Sequence, residues 1–269
     1  MGALDGRVAI ITGAGRGIGR AVTLGLLQAG ASVVAVDIDP PAFEPEASLL
    51  LYPADITRDE TAAAIVAATI EHFGRIDILV NNAGVNLESL LPAGSKRPEK
   101  FWDIAPADFR RVIEVNAVSP FLMTRAALAP MLEQGWGRII NVTTSLDTMF
   151  RQGQIPYGGS KAANEAHSAA MADDLANTGV TLNVVVPGGM VKSRMTATAQ
   201  TIYTSGLFEP EIMVEPLLWL TTSAADGVSG KRLIAAYWDS DLPAAESLEK
   251  CSAPIAWPQV GKQAIYPAS

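Results

Sequence analysis

The sequence predicts one α/β domain, a doubly wound parallel sheet of about seven strands with helices on both faces, and three observations lead there. Short β-branched runs alternate with Ala- and Leu-rich stretches of helical length along the chain, the pattern of repeated βα units. Several runs, RVAIIT, SVVAVD and DILVNN, are almost continuously apolar, as strands covered on both faces must be. With 49% hydrophobic and 18% charged residues, 269 residues suffice for one sizeable core and do not fit disorder or a fibrous repeat.

Taken in order, strands are expected at residues 8–12, 32–37, 49–52, 76–81, 137–143, 181–186 and 232–235. Helices are expected between them at 17–29, 59–73, 106–134, 157–177 and 211–222. Residues 86–104, which carry Pro, Gly and basic side chains, read as a loop over the sheet edge or a partial lid. Residues 192–210, rich in Thr, Ser and Met, read as a second substrate loop. The body of the domain is therefore 1–238, with 239–269 as a C-terminal extension and not a second domain.

Composition narrows the function. A net charge of −8 without a basic cluster argues against a nucleic-acid partner, whose phosphates demand Lys and Arg. Cys251 is the only cysteine, so neither an intrachain disulfide nor a cysteine-based metal site is expected. His72 and His167 sit in separate predicted helices without ligand spacing, so no metal is expected. The chain runs almost directly from Met1 into its first strand, and no uncharged apolar run has spanning length. The expectation is a cytoplasmic protein with no membrane partner.

After the first strand comes Thr12-Gly13-Ala14-Gly15-Arg16-Gly17-Ile18-Gly19, and then a helix. Glycines there permit a tight turn and close approach of backbone to a pyrophosphate, while the helix start offers free N–H groups and a positive dipole end. Asp37 closes the second strand, where a carboxylate can bind the adenosine ribose hydroxyls. The same carboxylate would repel a 2′-phosphate, and Ile38, Asp39 and Pro40 add no cation. NAD(H) is therefore favoured over NADP(H), with Arg16 as the one nearby group that works the other way.

Tyr157 and Lys161 lie four residues apart in a predicted helix and project from one face. An adjacent ammonium stabilises a phenolate, so the pair suits proton transfer. Together with the glycine-rich turn, Asn81-Asn82-Ala83-Gly84, Asn116, the hydroxyl cluster Thr143-Thr144-Ser145, Tyr157-Gly-Gly-Ser-Lys161 and Pro187-Gly188, it resembles the short-chain dehydrogenase/reductase family over roughly residues 5–237. The resemblance implies a Rossmann-type fold and reversible interconversion of a secondary alcohol with a ketone or aldehyde. It implies Tyr157 as acid/base, Lys161 as the residue that lowers its pKa and binds the nicotinamide ribose, and Asn116 in a water-linked proton relay. The family's serine, which holds the substrate oxygen, lies 13 residues before its tyrosine; here that position is Thr144, with Ser145 next, and either hydroxyl can serve.

By the same resemblance Asp55 and Ile56 match the adenine-contacting pair and Asn82 the residue beside the adenosine ribose. The segment containing Met190 and Ser193 matches the one that faces the nicotinamide carboxamide, with Lys192 in that place if the extra glycine is not counted. A homotetramer, or a homodimer, is the implied assembly. Met190, Met195, Met213, Trp102, Tyr203 and Phe208 cluster near the variable loops, where they either line an apolar substrate pocket or pack the loops. The other functions open to this fold are a cofactor-binding regulatory or structural protein and a non-redox epimerase or dehydratase.

Overall fold

In the computed structural model, which describes residues 2–39, 43–92, 95–196 and 206–258, the two faces of each central strand fill two separate cores. Ala9 and Ile11 of β1 (Val8–Thr12) point to one face and Ile10 to the other, the period-two alternation of a strand. On the first face they meet Val22 and Leu26 of α1 (Gly17–Gln28) and Leu217 and Leu220 of α8 (Val214–Leu220). On the second they meet Ile65 of α2 (Thr61–Phe73) and Met123, Ala127 and Met131 of α5 (Ser119–Gln134). Burial on both faces is what makes these strands read as continuous apolar runs.

The remaining strands are β2 (Ser32–Asp37), β3 (Leu49–Pro53), β4 (Ile78–Asn81), β5 (Gly137–Val142), β6 (Val180–Val186), β7 (Lys231–Ile234) and β8 (Ser252–Pro254). They form one sheet in the order β3-β2-β1-β4-β5-β6-β7-β8. All neighbours pair in parallel except β7 and β8. Strand order reverses between β1 and β4, so the chain leaves their carboxyl ends in opposite directions and opens a crevice there. Between the strands lie α3 (Leu87–Leu90), α4 (Pro106–Ile113), α6 (Leu146–Phe150), α7 (Tyr157–Asp174) and α9 (Ala244–Cys251).

The short helices α3 and α6 fall where no helix is expected, and the C-terminal extension and the long helix also differ from the sequence reading. The extension 239–269 contributes α9 and an eighth, antiparallel strand, with Arg232 opposite Ala253; a three-residue strand is too short to show a period. Both edge strands, β3 and β8, end in proline, Pro53 and Pro254. The helix expected over 106–134 is interrupted by a π-helical turn, Glu114–Val118. Pro120 has no N–H to give the Asn116 carbonyl, so the normal i→i−4 bond is missing and the helix widens.

Pro106–Gln134 is also a helical run of 29 residues long and apolar enough by composition to cross a bilayer. Half of its apolar window is buried, and α5 packs against β4, β5 and α2 as a core helix.

Candidate active site

The crevice begins at the glycine-rich turn. Gly13 and Gly17 have φ of +65° and +51°, which glycine adopts without strain. A methyl group on Gly19 would overlap the Gly13 carbonyl, so glycine alone lets α1 start against the end of β1. The Thr12 hydroxyl accepts the N–H groups of Asn82 and Ala83, both at 3.1 Å, and Asn82 Nδ2 donates to the Thr12 and Gly13 carbonyls, both at 3.0 Å. The ends of β1 and β4 are thereby locked together. No side chain caps the start of α1 at Arg16, so its first N–H groups face the crevice, where an anion can take them.

Asp37, 8% exposed, accepts the Gly15 N–H at 2.8 Å and the Asp39 N–H at 3.2 Å, which fixes its carboxylate against the turn. Arg16 pairs with Asp39, and Arg194 lies 4.0 Å from the same carboxylate. Asp55 receives Thr57 and, at 3.1 Å, Arg111. Burial raises its pKa, but the Thr57 and Arg111 bonds together outweigh that and hold it below the usual carboxylate range. Ile56 is buried beside it. Sequence reasoning missed Arg111 and Arg194; distance along the chain hid them, since neither belongs to a local motif.

From this end a cavity of about 720 Å³ runs to the first turn of α7, bordered by Asp37, Asp55, Ile56, Lys161 and Tyr157. The glycine cradle, the uncapped helix start and an elongated cavity with a carboxylate at one end together fit a dinucleotide.

At the far end Tyr157 keeps some exposure to the cavity, yet its phenol lies deep enough that burial pushes its pKa up. The nearby Thr144 hydroxyl acts the other way, favouring the phenolate. Ser145 instead shares a 2.7 Å bond with Thr148.

Lys161 is one turn along on the same helical face, but its Nζ donates to the Val142 carbonyl at 2.9 Å. The expectation that Lys161 lowers the Tyr157 pKa is not met in this conformation, because the ammonium reaches to the end of β5 and not to the phenol. Burial lowers the Lys161 pKa to about 8. Asn116, in the π-turn, accepts the Val85 N–H at 2.9 Å and donates to the Val85 carbonyl and Ser160 hydroxyl at 2.8 and 2.9 Å. It ties α7 to the segment after β4.

The segment after β6 brings Met190 and Ser193 to the cavity, Ser193 bonding Thr196, whereas Lys192 turns outward to Glu209. Of the two readings of the Met and aromatic group, a shared apolar pocket is not what most of its described members form. Met213 is in the core, Trp102 is 68% exposed, and Phe208 packs over Gly189; Tyr203 lies outside the described residues. Among the described members of that group, Met190 and Met195 alone border the cavity. Its mouth beside Tyr157 is polar, lined by Glu88, Arg97, Asp147, Arg151 and Gln154. Arg97 pairs with Glu88 at 2.8 Å, and Arg151 with Asp147. His72 and His167 are exposed, and no metal-binding cluster occurs among the described residues.

The buried Lys161 makes a pH prediction. Between about 8 and its ordinary value of 10.5, the unfolded chain binds a proton that the folded one does not. The group's contribution to stability is thus full above 10.5 and is lost as pH falls through about 8, a difference of roughly 3 kcal/mol. In cofactor-free protein, Lys161→Met should be more resistant to urea than wild type at pH 7, with the gap closing toward pH 10.5. A pH-independent gap would show that the ammonium is not desolvated.

The comparisons agree with this geometry. The sequence matches the short chain dehydrogenase family over residues 7–203. It is 31% identical to a 3-oxoacyl-(acyl-carrier-protein) reductase of Vibrio cholerae, covering 86% of this chain and 96% of that protein. It is 32% identical to a fluoren-9-ol dehydrogenase of Terrabacter, covering 90% and 74%. A short-chain type dehydrogenase/reductase from Mycobacterium marinum superposes with a TM-score of 0.76 at 26% identity, over 86% of this chain and 94% of that one. A 3-ketoacyl-(acyl-carrier-protein) reductase from Brucella melitensis, complexed with NADH, does so with 0.73 at 28%, over 84% and 95%. With the matching fold and crevice, these likenesses make the chain a member of the short chain dehydrogenase family, an oxidoreductase of alcohol or ketone substrates that binds a nicotinamide cofactor.

Proposed function

We propose that this chain is an NAD(H)-dependent dehydrogenase/reductase that interconverts a secondary alcohol and its carbonyl, with Tyr157 as general acid/base. The observation that carries the reading is the convergence of Thr144, Tyr157 and Lys161 on the cavity that begins at the glycine-rich turn. The main chain of Gly13, Gly15, Arg16, Gly17, Ile18 and Gly19 would hold the pyrophosphate, Asp37 the adenosine ribose, Asp55, Ile56 and Asn82 the adenosine, and Met190 and Ser193 the nicotinamide end. Bound NAD supplies the hydride acceptor. Thr144 holds the substrate oxygen, because Ser145 is engaged by Thr148. Tyr157 takes the hydroxyl proton in oxidation and returns it in reduction. Lys161 offers its cation to the nicotinamide ribose, and Asn116 braces the helix that carries both.

The polar mouth argues for a substrate with hydroxyl or charged groups beyond the reacting carbon, not for a purely hydrophobic alcohol. In a panel of secondary alcohols with NAD⁺ at alkaline pH, hydroxylated substrates should turn over faster than alkanols. Tyr157→Phe should lower kcat by the 10²–10⁴-fold typical of general acid–base catalysis, roughly, while NAD(H) affinity stays near wild type. Retention of more than about a tenth of the rate would remove Tyr157 from the mechanism.

Cofactor choice follows from Asp37. Losing its ribose hydrogen bonds and adding an unpaired like charge should disfavour NADP(H) by roughly 2–4 kcal/mol, a factor of tens to hundreds. Arg16 and Arg194 are directed to Asp39, which limits their pull on a 2′-phosphate. Asp37→Ser should narrow the gap mainly by improving NADP(H) binding. Equal kcat/KM for both cofactors in the unmodified protein would show that Asp37 does not face the ribose.

A cytoplasmic homotetramer, or homodimer, completes the reading. Phe109, Phe121 and Leu132 stay more than 40% exposed along α4 and α5, apolar surface suited to a second copy. Light scattering at micromolar concentration should give an oligomer whose mass reducing agent leaves unchanged. A monomer would rule out this assembly.

A further inference from the structure

α7 carries three titratable side chains one turn apart on one stripe, Tyr157, Lys161 and Glu165. The cavity accounts for the first two. Glu165 is fully buried and so, nearly, is its partner Arg232 on β7. Two opposite charges buried together gain little stability over an apolar pair, so stability alone is a poor reason for them.

What they hold is the end of β5. Glu165 Oε2 accepts the Thr143 hydroxyl at 2.7 Å, and Arg232 Nη2 donates to the Thr144 carbonyl at 2.7 Å. Arg232 Nε lies 2.8 Å from Glu165 Oε1, out of line with its N–H, so this contact is an ion pair and not a directed hydrogen bond. The C-terminal segment lies close by, with the Ala256 main-chain N–H near enough to Glu165 to favour its charged form. Ala256 has φ +67°, a left-handed conformation that costs a residue with a Cβ. Its neighbour Ile255 is buried and donates to the Gly230 carbonyl at 3.0 Å, which anchors the strained residue.

We propose that Glu165 and Arg232 are positioning residues for the reaction: they clamp Thr143 and Thr144 and so set where the Thr144 hydroxyl stands relative to the Tyr157 phenol in the shared cavity. The inference rests on the reading of Tyr157 as the proton carrier. Burial raises the Glu165 pKa overall, against the pull of Arg232, Thr143 and Ala256, which favour the charged form.

Two variants test this. Glu165→Gln combined with Arg232→Gln removes both charges and leaves neither unpaired. Arg232→Lys keeps the charge but loses the guanidinium fork that reaches Glu165 and Thr144 at once. Tyr157 ionisation is read without turnover, as the phenolate absorbance that Tyr157→Phe lacks. In both variants, folded by circular dichroism and with wild-type NAD⁺ affinity, the phenolate midpoint should rise by roughly half to one pH unit, the worth of one hydrogen bond. Alcohol oxidation should slow by about tenfold, with its rising pH limb displaced in the same direction. Thr144→Val should show the same shift, and adding either variant to it should cost little more.

A wild-type midpoint in a folded variant, or losses that multiply with those of Thr144→Val, would overturn the proposal. So would failure of both variants to fold, which would assign the pair to stability alone. A displaced midpoint in a protein whose Tyr157→Phe form remains active would instead spare the clamp and sink the catalytic reading.

Discussion

The site depends on one close approach of main chain to main chain, where Gly19 lies against the Gly13 carbonyl. Any side chain there would lift α1 away from β1. The uncapped N–H groups of the helix would then no longer point into the crevice. Asn82 reinforces the contact from β4, and Asp37 from β2 through the Gly15 N–H. Three strand ends thus converge on one turn. The placement of α1, the shape of the cavity and the orientation of the Asp37 carboxylate all follow from it.

Charge at the opposite end of the sheet serves a different purpose. Asp77, fully buried, accepts Arg7 at 2.7 Å and Arg75 at 2.7 and 2.6 Å, as well as the Val8 N–H at 3.0 Å. Trp136 is stacked between the guanidinium groups of Arg7 and Arg138, at 3.7 and 4.0 Å, and cation–π contacts of this kind are strongest when desolvated. These groups join the amino-terminal ends of β1, β4 and β5 far from the cavity, so the scaffold is fixed at both ends of its central strands.

How much of this could be read from the sequence depended on how local each signal was. Central strands and the glycine-rich turn were legible because double-sided burial and a backbone contact leave marks within a few residues. The break at Glu114–Val118 was hidden by apolar character that runs through it, although Pro120 marked the place. The Tyr157–Lys161 spacing was read correctly, but the lysine's partner is a carbonyl on β5, a tertiary fact. Whether Met213 and Trp102 line a pocket or pack the loops was open in the sequence for the same reason: only folding sends one into the core and the other to solvent. Glu165 and Arg232, 67 residues apart, left no local sign at all.

The prolines that end both edge strands bear on how copies of this chain can meet. An edge strand exposes unpaired N–H and C=O groups to any passing strand, and continuous, apolar β-sheet is the architecture most prone to grow by such recruitment. Pro53 and Pro254 each withdraw a donor from the rim, and β8 is only three residues long. Templated extension into larger, ill-defined aggregates is therefore discouraged on both sides. Encounters are left to helical faces, whose side chains can be matched to one partner in a closed arrangement.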